Sequence, residues 1–298
     1  MKKLDRYQLV GWVAVALSTI ITCFWAYWGI IENFHEGWFY ESLLANLGLM
    51  FAQYLSFMLI FIGVTLVSLH WPRIGAGLHV IGAFFAFWFF GGASNTASLL
   101  IIAPLLIFAA LYWYGRPLSR KIATYLIIGL PLLTLIIFGV EPVMRVSQRL
   151  NDGNLGARVV AGNGVELTWA PDGPGWPPEG MNWHEASRAC QYLAEDGTAL
   201  ATTPQNIWRL PTVDEAVRSM ARHGENSGGV WNAAAVQATY HTTPDKESPL
   251  WNVYSQVIYW WTATEADEAD AYIIVYDGKV WPRDKDFGPA YLGFRCIK

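Results

Sequence analysis

Ionisable side chains are scarce over the first 140 positions of this 298-residue chain. The only basic residues there are Lys2, Lys3, Arg6, Arg73, Arg116, Arg120 and Lys121, and the only acids are Asp5, Glu32, Glu36 and Glu41. The first apolar run also lacks a small-residue cleavage site, which argues against a removable signal peptide and for an uncleaved first span. Positive charge is short in the remainder, with 13 basic against 20 acidic residues. A net-negative domain is a poor match for nucleic acid, which needs a basic patch to neutralise phosphates. Cysteine is rarest: Cys23 lies in an apolar run, and Cys190 and Cys296 lie in the second half.

Long apolar runs fill the charge-poor region. About 20 apolar residues at 1.5 Å each cross the ~30 Å hydrocarbon layer. Five segments meet that length: Gln8 to Ile31, Leu43 to Leu69, Ile74 to Gly92, Ala97 to Tyr114 and Ile122 to Val140. In lipid each backbone polar group must be satisfied within its segment, so these are read as helices. Gly91 to Thr96 has the turn chemistry of a helical hairpin. With the start of the chain in the cytoplasm, all seven basic groups of this half fall on the cytoplasmic side, and residue 141 onward lies outside. Trp25, Trp28, Trp38, Trp71, Trp88 and Trp113 sit near span ends, as interfacial aromatics do.

Transport or proton pumping calls for ionisable groups in mid-bilayer. His79 and Gln53 are the only candidates, and no carboxylate or second His matches His79 in depth; a capping or interfacial role is expected of it. Gly75, Gly77 and Gly82 suit close helix packing. The membrane half thus reads as an anchor or assembly platform.

The second half reads as a connector, 141–156, followed by a domain over 157–298. Ala157–Val160 and Val165–Trp169 flank Gly162-Asn163-Gly164, a hairpin signal, and Pro171–Gly180 is loop. Asn182 with Glu185, and Thr212 with Glu215, form two capping boxes, each followed by apolar residues at helical spacing. Gly224 is placed to end the second helix. Ala271–Tyr276 and Lys279–Trp281 flank Asp277-Gly278, and Tyr291–Ile297 is a last strand. On an oxidising side, Cys190 and Cys296 favour a disulfide.

Trp183-His184-Glu185-Ala186 through Ala189-Cys190, Trp208 through Glu215, and the ending Leu292-Gly293-Phe294-Arg295-Cys296 resemble the formylglycine-generating-enzyme or sulfatase-modifying-factor superfamily. Tyr259 through Thr264 is closer to its DUF1566-type branch of bacterial surface domains. The resemblance spans residues 157–298. It implies an α+β, C-type-lectin-like fold in which a cysteine of the first helix pairs with one of the last strand. The superfamily's oxidase holds copper on two reactive cysteines upstream of the terminal Gly-Phe-Arg-Cys, and this chain has no cysteine between Cys190 and Cys296. Thiolate is what makes such a site soft enough for Cu(I). His184, His223 and His241 lack the spacing of an iron site.

Recognition is the remaining class. Most of the nine tryptophans after residue 140 are expected in the core. Glu265, Asp267, Glu268 and Asp270 offer hard oxygen ligands suited to calcium, with a solvated acidic turn as the alternative. Trp281, Arg283, Asp284, Lys285 and Asp286 form a mixed-charge loop where lectin-like folds bind ligands. The expected function is a non-enzymatic, membrane-anchored display protein without a cofactor, its outer domain binding a glycan or protein partner. A structural subunit of a larger membrane complex is the alternative, and a formylglycine-type oxidase comes last.

Overall fold

A computed structural model describes residues 5–89 and 96–298, the last set without the side chains of 96–100. The turn expected at Gly91–Thr96 falls almost entirely outside the described residues, as do Lys2 and Lys3. The chain divides into two units, one of Met1–His35 with Leu44–Met144, the other of Glu36–Leu43 with Arg145–Lys298.

The first unit is helical: α1 (Arg6–His35), α2 (Leu43–Leu49), α3 (Ser56–His70), α4 (Pro72–Phe89), α5 (Thr96–Tyr114) and α6 (Arg120–Ser147). Three of these, α1, α4 and α6, are long and apolar enough to cross a membrane; α2 and α3, taken as one broken span, make a fourth. Leu43–Leu69 is therefore not the continuous helix expected. Met50–Tyr54 forms a π-helical turn in which Leu55 N–H reaches the Met50 carbonyl at 2.8 Å, and the axis bends by 59° there. A wide turn of that kind interrupts the regular hydrogen-bond ladder, which lets the direction change.

Small residues set how closely these helices meet. A Cβ on Gly75 would lie 2.2 Å from Ser68 Oγ, and one on Gly11 would lie 2.3 Å from the Pro117 nitrogen. Gly77 has nothing within 4 Å of that position, so its expected packing role is not realised. His79 is buried inside the unit, its Nδ1 2.9 Å from the Gly75 carbonyl and its ring stacked on Tyr112 at 5.8 Å. Gln53 is exposed.

The expected connector is partly helical, because α6 continues to Ser147 before the turns at Asn151–Asn154. Pro142 does not stop it, and Glu141 to Ser147 carry no other helix breaker. Beyond lie β1 (Arg158–Gly162) and β2 (Val165–Trp169), paired antiparallel. Next come α7 (Trp183–Tyr192) and α8 (Val213–Ser219), each opened by its expected capping box. Gly224 does not end α8, which stops at the Met220 cap; it turns β3 (Ala221–Arg222) into β4 (Glu225–Asn226) instead. The short strands β5 (Val230–Asn232) and β6 (Gln237–Thr239) form another hairpin.

A four-stranded sheet closes the unit in the order β10-β7-β8-β9, built from β7 (Tyr259–Glu265), β8 (Asp270–Val275), β9 (Val280–Asp284) and β10 (Leu292–Gly293). β10 runs parallel to β7 and the other pairs are antiparallel. Gly278 adopts φ +86° in the β8–β9 turn, a backbone region glycine tolerates without cost. The expected last strand is two short pieces: Leu292–Gly293 joins β7, and Ile297 bridges Trp169 and Arg209.

One apolar core lies under the sheet, α7 and α8. Trp251 and Trp260 stack at 3.8 Å, with Trp169 5.4 Å beyond. Cys190 of α7 is bonded to Cys296 across 106 residues of sequence, with the Cα atoms 5.6 Å apart. Arg209, from the Arg-Leu-Pro-Thr element, forks onto Glu215 at 2.5 and 2.7 Å, while Thr212 N–H donates to the same carboxylate at 2.8 Å. Burial works to raise the Glu215 carboxyl, but the Arg209 and Thr212 donors outweigh it and hold it at about 2.

Candidate functional site

Charged residues should avoid the interior unless paired, so the segment Pro244-Asp245-Lys246-Glu247-Ser248 is unusual in being buried throughout. Asp245 accepts from Arg149 at 2.8 and 3.1 Å and from Arg222 at 2.7 Å. Burial pushes its carboxyl up, and the Arg149 guanidinium more than reverses that, leaving it below the usual range. Glu247 accepts the Leu150 N–H at 2.8 Å and the His223 N–H. Lys246 is fully enclosed, and its ammonium donates to the Ser255 carbonyl. Burial, with Arg149 nearby, pulls that ammonium well below the ordinary lysine value.

A second buried cation lies close in sequence to the disulfide. Arg295 is wholly inaccessible and donates to the carbonyls of Ala170 at 2.8 Å, Leu250 at 2.6 Å and Pro249 at 3.1 Å. Its guanidinium lies 3.7 Å from the centre of the Trp176 ring. A cation stripped of water retains such contacts strongly.

Both cations contact residues that line a cavity of about 250 Å³: Arg295 lies over Trp176, and Lys246 donates to the Ser255 carbonyl. Asp172 and Trp176 to Glu179 contribute one stretch of its lining. Asn252, Tyr254, Ser255 and Gln256 contribute a second stretch, and Phe39 and Tyr40 a third. Tyr40 and Tyr254 are 42% and 43% exposed. At the neighbouring Gly180 a Cβ would come 2.1 Å from the Pro289 carbonyl oxygen, so the backbone after Glu179 is pinned. The result is a concave surface with exposed aromatic rings, amides and two carboxylates, of the sort that accepts a ligand with apolar faces and hydroxyl edges.

The loop singled out at 281–286 divides. Arg283, Asp284 and Asp286, with Asp270, Pro282 and Phe287, line a separate open depression of about 430 Å³. Arg283 lies 5.2 Å over the Phe287 ring, and Asp286 sits 3.9 Å from His184 Nε2 with both exposed. Trp281 instead packs on Tyr259 at 5.8 Å. Lys285 is not an exposed loop charge but a buried one. Its ammonium donates to Glu265 Oε2 at 2.6 Å, Glu268 O at 2.8 Å and Asp267 O at 2.9 Å.

That lysine also answers for the acidic stretch. Glu265, Asp267 and Glu268 surround a cation carried by the protein itself, and Asp267 caps its own turn by accepting from Ala269 and Asp270 N–H at 2.8 Å. Among the described residues no group of three or more His, Cys, Asp or Glu side chains is arranged to hold a metal ion. In this arrangement the Glu265 carboxylate and the Asp267 and Glu268 carbonyls are engaged by the Lys285 ammonium. Both cysteines of the second unit are consumed by the disulfide, and Cys23 belongs to the helical unit.

The groove of Trp176 and Tyr254 was not singled out in the sequence. One signal was available, the Asp245-Lys246-Glu247 triplet held between Pro244 and Pro249. No protein-family model matches the chain, and no curated protein matches it.

Proposed function

We propose that this chain is a non-enzymatic, membrane-anchored recognition protein whose second unit binds carbohydrate in the groove between Trp176 and Tyr254. The carrying observation is the pair of exposed tyrosines, Tyr40 and Tyr254, set beside Asp172, Glu179, Asn252 and Gln256 on one concavity. Sugar rings have apolar C–H faces that lie against aromatic rings, and hydroxyls that donate to carboxylate and amide oxygens. Buried contacts from Arg295 to Trp176 and from Lys246 to Ser255 fix parts of the lining before any ligand arrives, which lowers the ordering cost of binding.

In this reading the second unit is a C-type-lectin-like domain of the sulfatase-modifying-factor superfamily, in its DUF1566-like branch. Support comes from the Cys190–Cys296 link between α7 and the C-terminal segment, and from the return of Ile297 beside Trp169. The helical unit crosses the bilayer five times, with α5 as the additional span. The basic residues then collect on the cytoplasmic side, and Arg145–Lys298 lies outside, where a disulfide persists. No cofactor takes part.

Full-length protein in mild detergent, titrated with polysaccharide fragments on a glycan array and by calorimetry, tests the reading. Tyr254→Ala and Asn252→Ala should each weaken a retained glycan about tenfold, the scale of one lost stacking or hydrogen-bonded contact. Absence of glycan binding, or binding indifferent to both substitutions, refutes it. Labelling of an introduced Asn151→Cys by an impermeant reagent on intact cells tests the placement.

A further inference from the structure

The helical unit carries a groove of its own. It runs along the faces of α4 and α5, about 640 Å³ in volume, with Gly77 and Ala110 among its small floor residues and Val80 and Ile81 among its walls. From Arg73 to Ile81 it is about 12 Å long at the helical rise. Its floor is open at Gly77, where an added Cβ would meet nothing within 4 Å. One end differs from the rest: Arg73 and Trp113 line the mouth.

That mouth opens onto a basic end of the unit. Arg116 follows α5 and spends its Nη1 on the carbonyls of Gly115 at 2.6 Å and Tyr112 at 3.0 Å. Its guanidinium is depressed first by burial, then by the charges of Arg120 and Arg73, so each of those two arginines lies within electrostatic reach of Arg116. The start of α1 joins the same end, because Arg116 N–H donates to the Tyr7 carbonyl at 2.9 Å. Arg6, Arg73, Arg116, Arg120 and Lys121 thus stand against a single described acid, Asp5.

We infer that this groove binds one anionic phospholipid, an acyl chain lying over Gly77 and Ala110 and the phosphate held at Arg73. The inference depends on the helical unit spanning a membrane, and not on what the second unit recognises. An apolar trough beside small residues takes an acyl chain by van der Waals contact, where close approach counts. The clustered guanidinium groups discriminate the headgroup, since basic groups near a membrane surface favour anionic lipid. Trp113 at the mouth has the amphipathic ring that settles at headgroup depth.

The test is native mass spectrometry and thermal shift of the full chain in non-ionic detergent. The probes are dioleoyl phosphatidylglycerol, phosphatidylcholine with the same chains, and inorganic phosphate. Phosphatidylglycerol should bind about tenfold more tightly than phosphatidylcholine, and phosphate alone should not shift the melt. Arg73→Gln should abolish the discrimination while leaving chain binding. Gly77→Leu, tolerated because the position is open, should block both lipids. Equal binding of the two lipids, or discrimination unchanged in Arg73→Gln, overturns the inference. So does a photo-cross-linker at Ile81 that captures a polypeptide in place of lipid. Release of the chain by alkaline carbonate, in soluble form without detergent, would instead overturn the spanning reading itself.

Discussion

Replacing Lys285 by methionine removes the ammonium from the acidic turn and keeps most of the side chain's packing. Three interactions go: the ion pair to Glu265 at 2.6 Å and the bonds to the carbonyls of Glu268 at 2.8 Å and Asp267 at 2.9 Å. Glu265 is 56% exposed on its side chain, so solvent screens that pair and its share stays below about 1 kcal/mol. The two carbonyl bonds are made by a charged donor that is itself only 6% exposed. Hydrogen bonds to charged groups contribute about 1.5–3 kcal/mol each, reduced here because the freed carbonyls of an exposed turn regain water. The expected loss is about 2–4 kcal/mol, or roughly 5–12 °C in Tm for a domain of this size. Tryptophan fluorescence of the full chain during a thermal ramp in detergent reads it, since Lys285 lies 5.3 Å over Trp183. A shift below about 2 °C would mean that the ammonium does not organise the turn. So would a calcium-dependent rise in the Tm of the unmodified protein, which would show the acids free for a metal ion.

Reducing the Cys190–Cys296 bond should destabilise the second unit by about 4–5 kcal/mol on chain entropy; unchanged melts with and without reductant would exclude a constraining bond. Asp245→Asn should cost about 3–5 kcal/mol, because it leaves Arg149 and Arg222 buried without their carboxylate; the same thermal assay measures it, and a loss under 1 kcal/mol would contradict the network. Asp152 and Glu215 are both held at about 2, the first chiefly by Arg158, so each favours the folded state while ionised. Stability should be flat from pH 7 to about 5 and fall progressively toward about 2; denaturant midpoints that rise on acidification would refute it.

Much of the architecture was legible from neighbouring residues. Capping at Asn182 and Thr212 needs partners three positions away, and both boxes formed where expected. The hairpins at Asn163-Gly164 and Asp277-Gly278 are likewise written in adjacent residues, because backbone conformation is a local property. Apolar runs located the helices, and the lone pair of cysteines in the second half named the disulfide. The bend at Leu55 was not visible, since it arises from a hydrogen-bond pattern that the apolar residues of that stretch do not encode.

The candidate site is where the sequence stopped being informative. Lys246, Lys285 and Arg295 look like solvated charges in a string of letters, yet each is buried against main-chain carbonyls. Every residue carries a carbonyl, so no residue type announces that it will receive a buried cation. The groove draws its lining from residues 39–40, 172–179 and 252–256, three stretches far apart along the chain. The sequence by itself determined where long apolar helices lie, the capped helices and turns, and the pairing of the two cysteines of the second unit. Only the tertiary structure decided which charges are interior and which aromatic rings face a common hollow, because those depend on long-range packing.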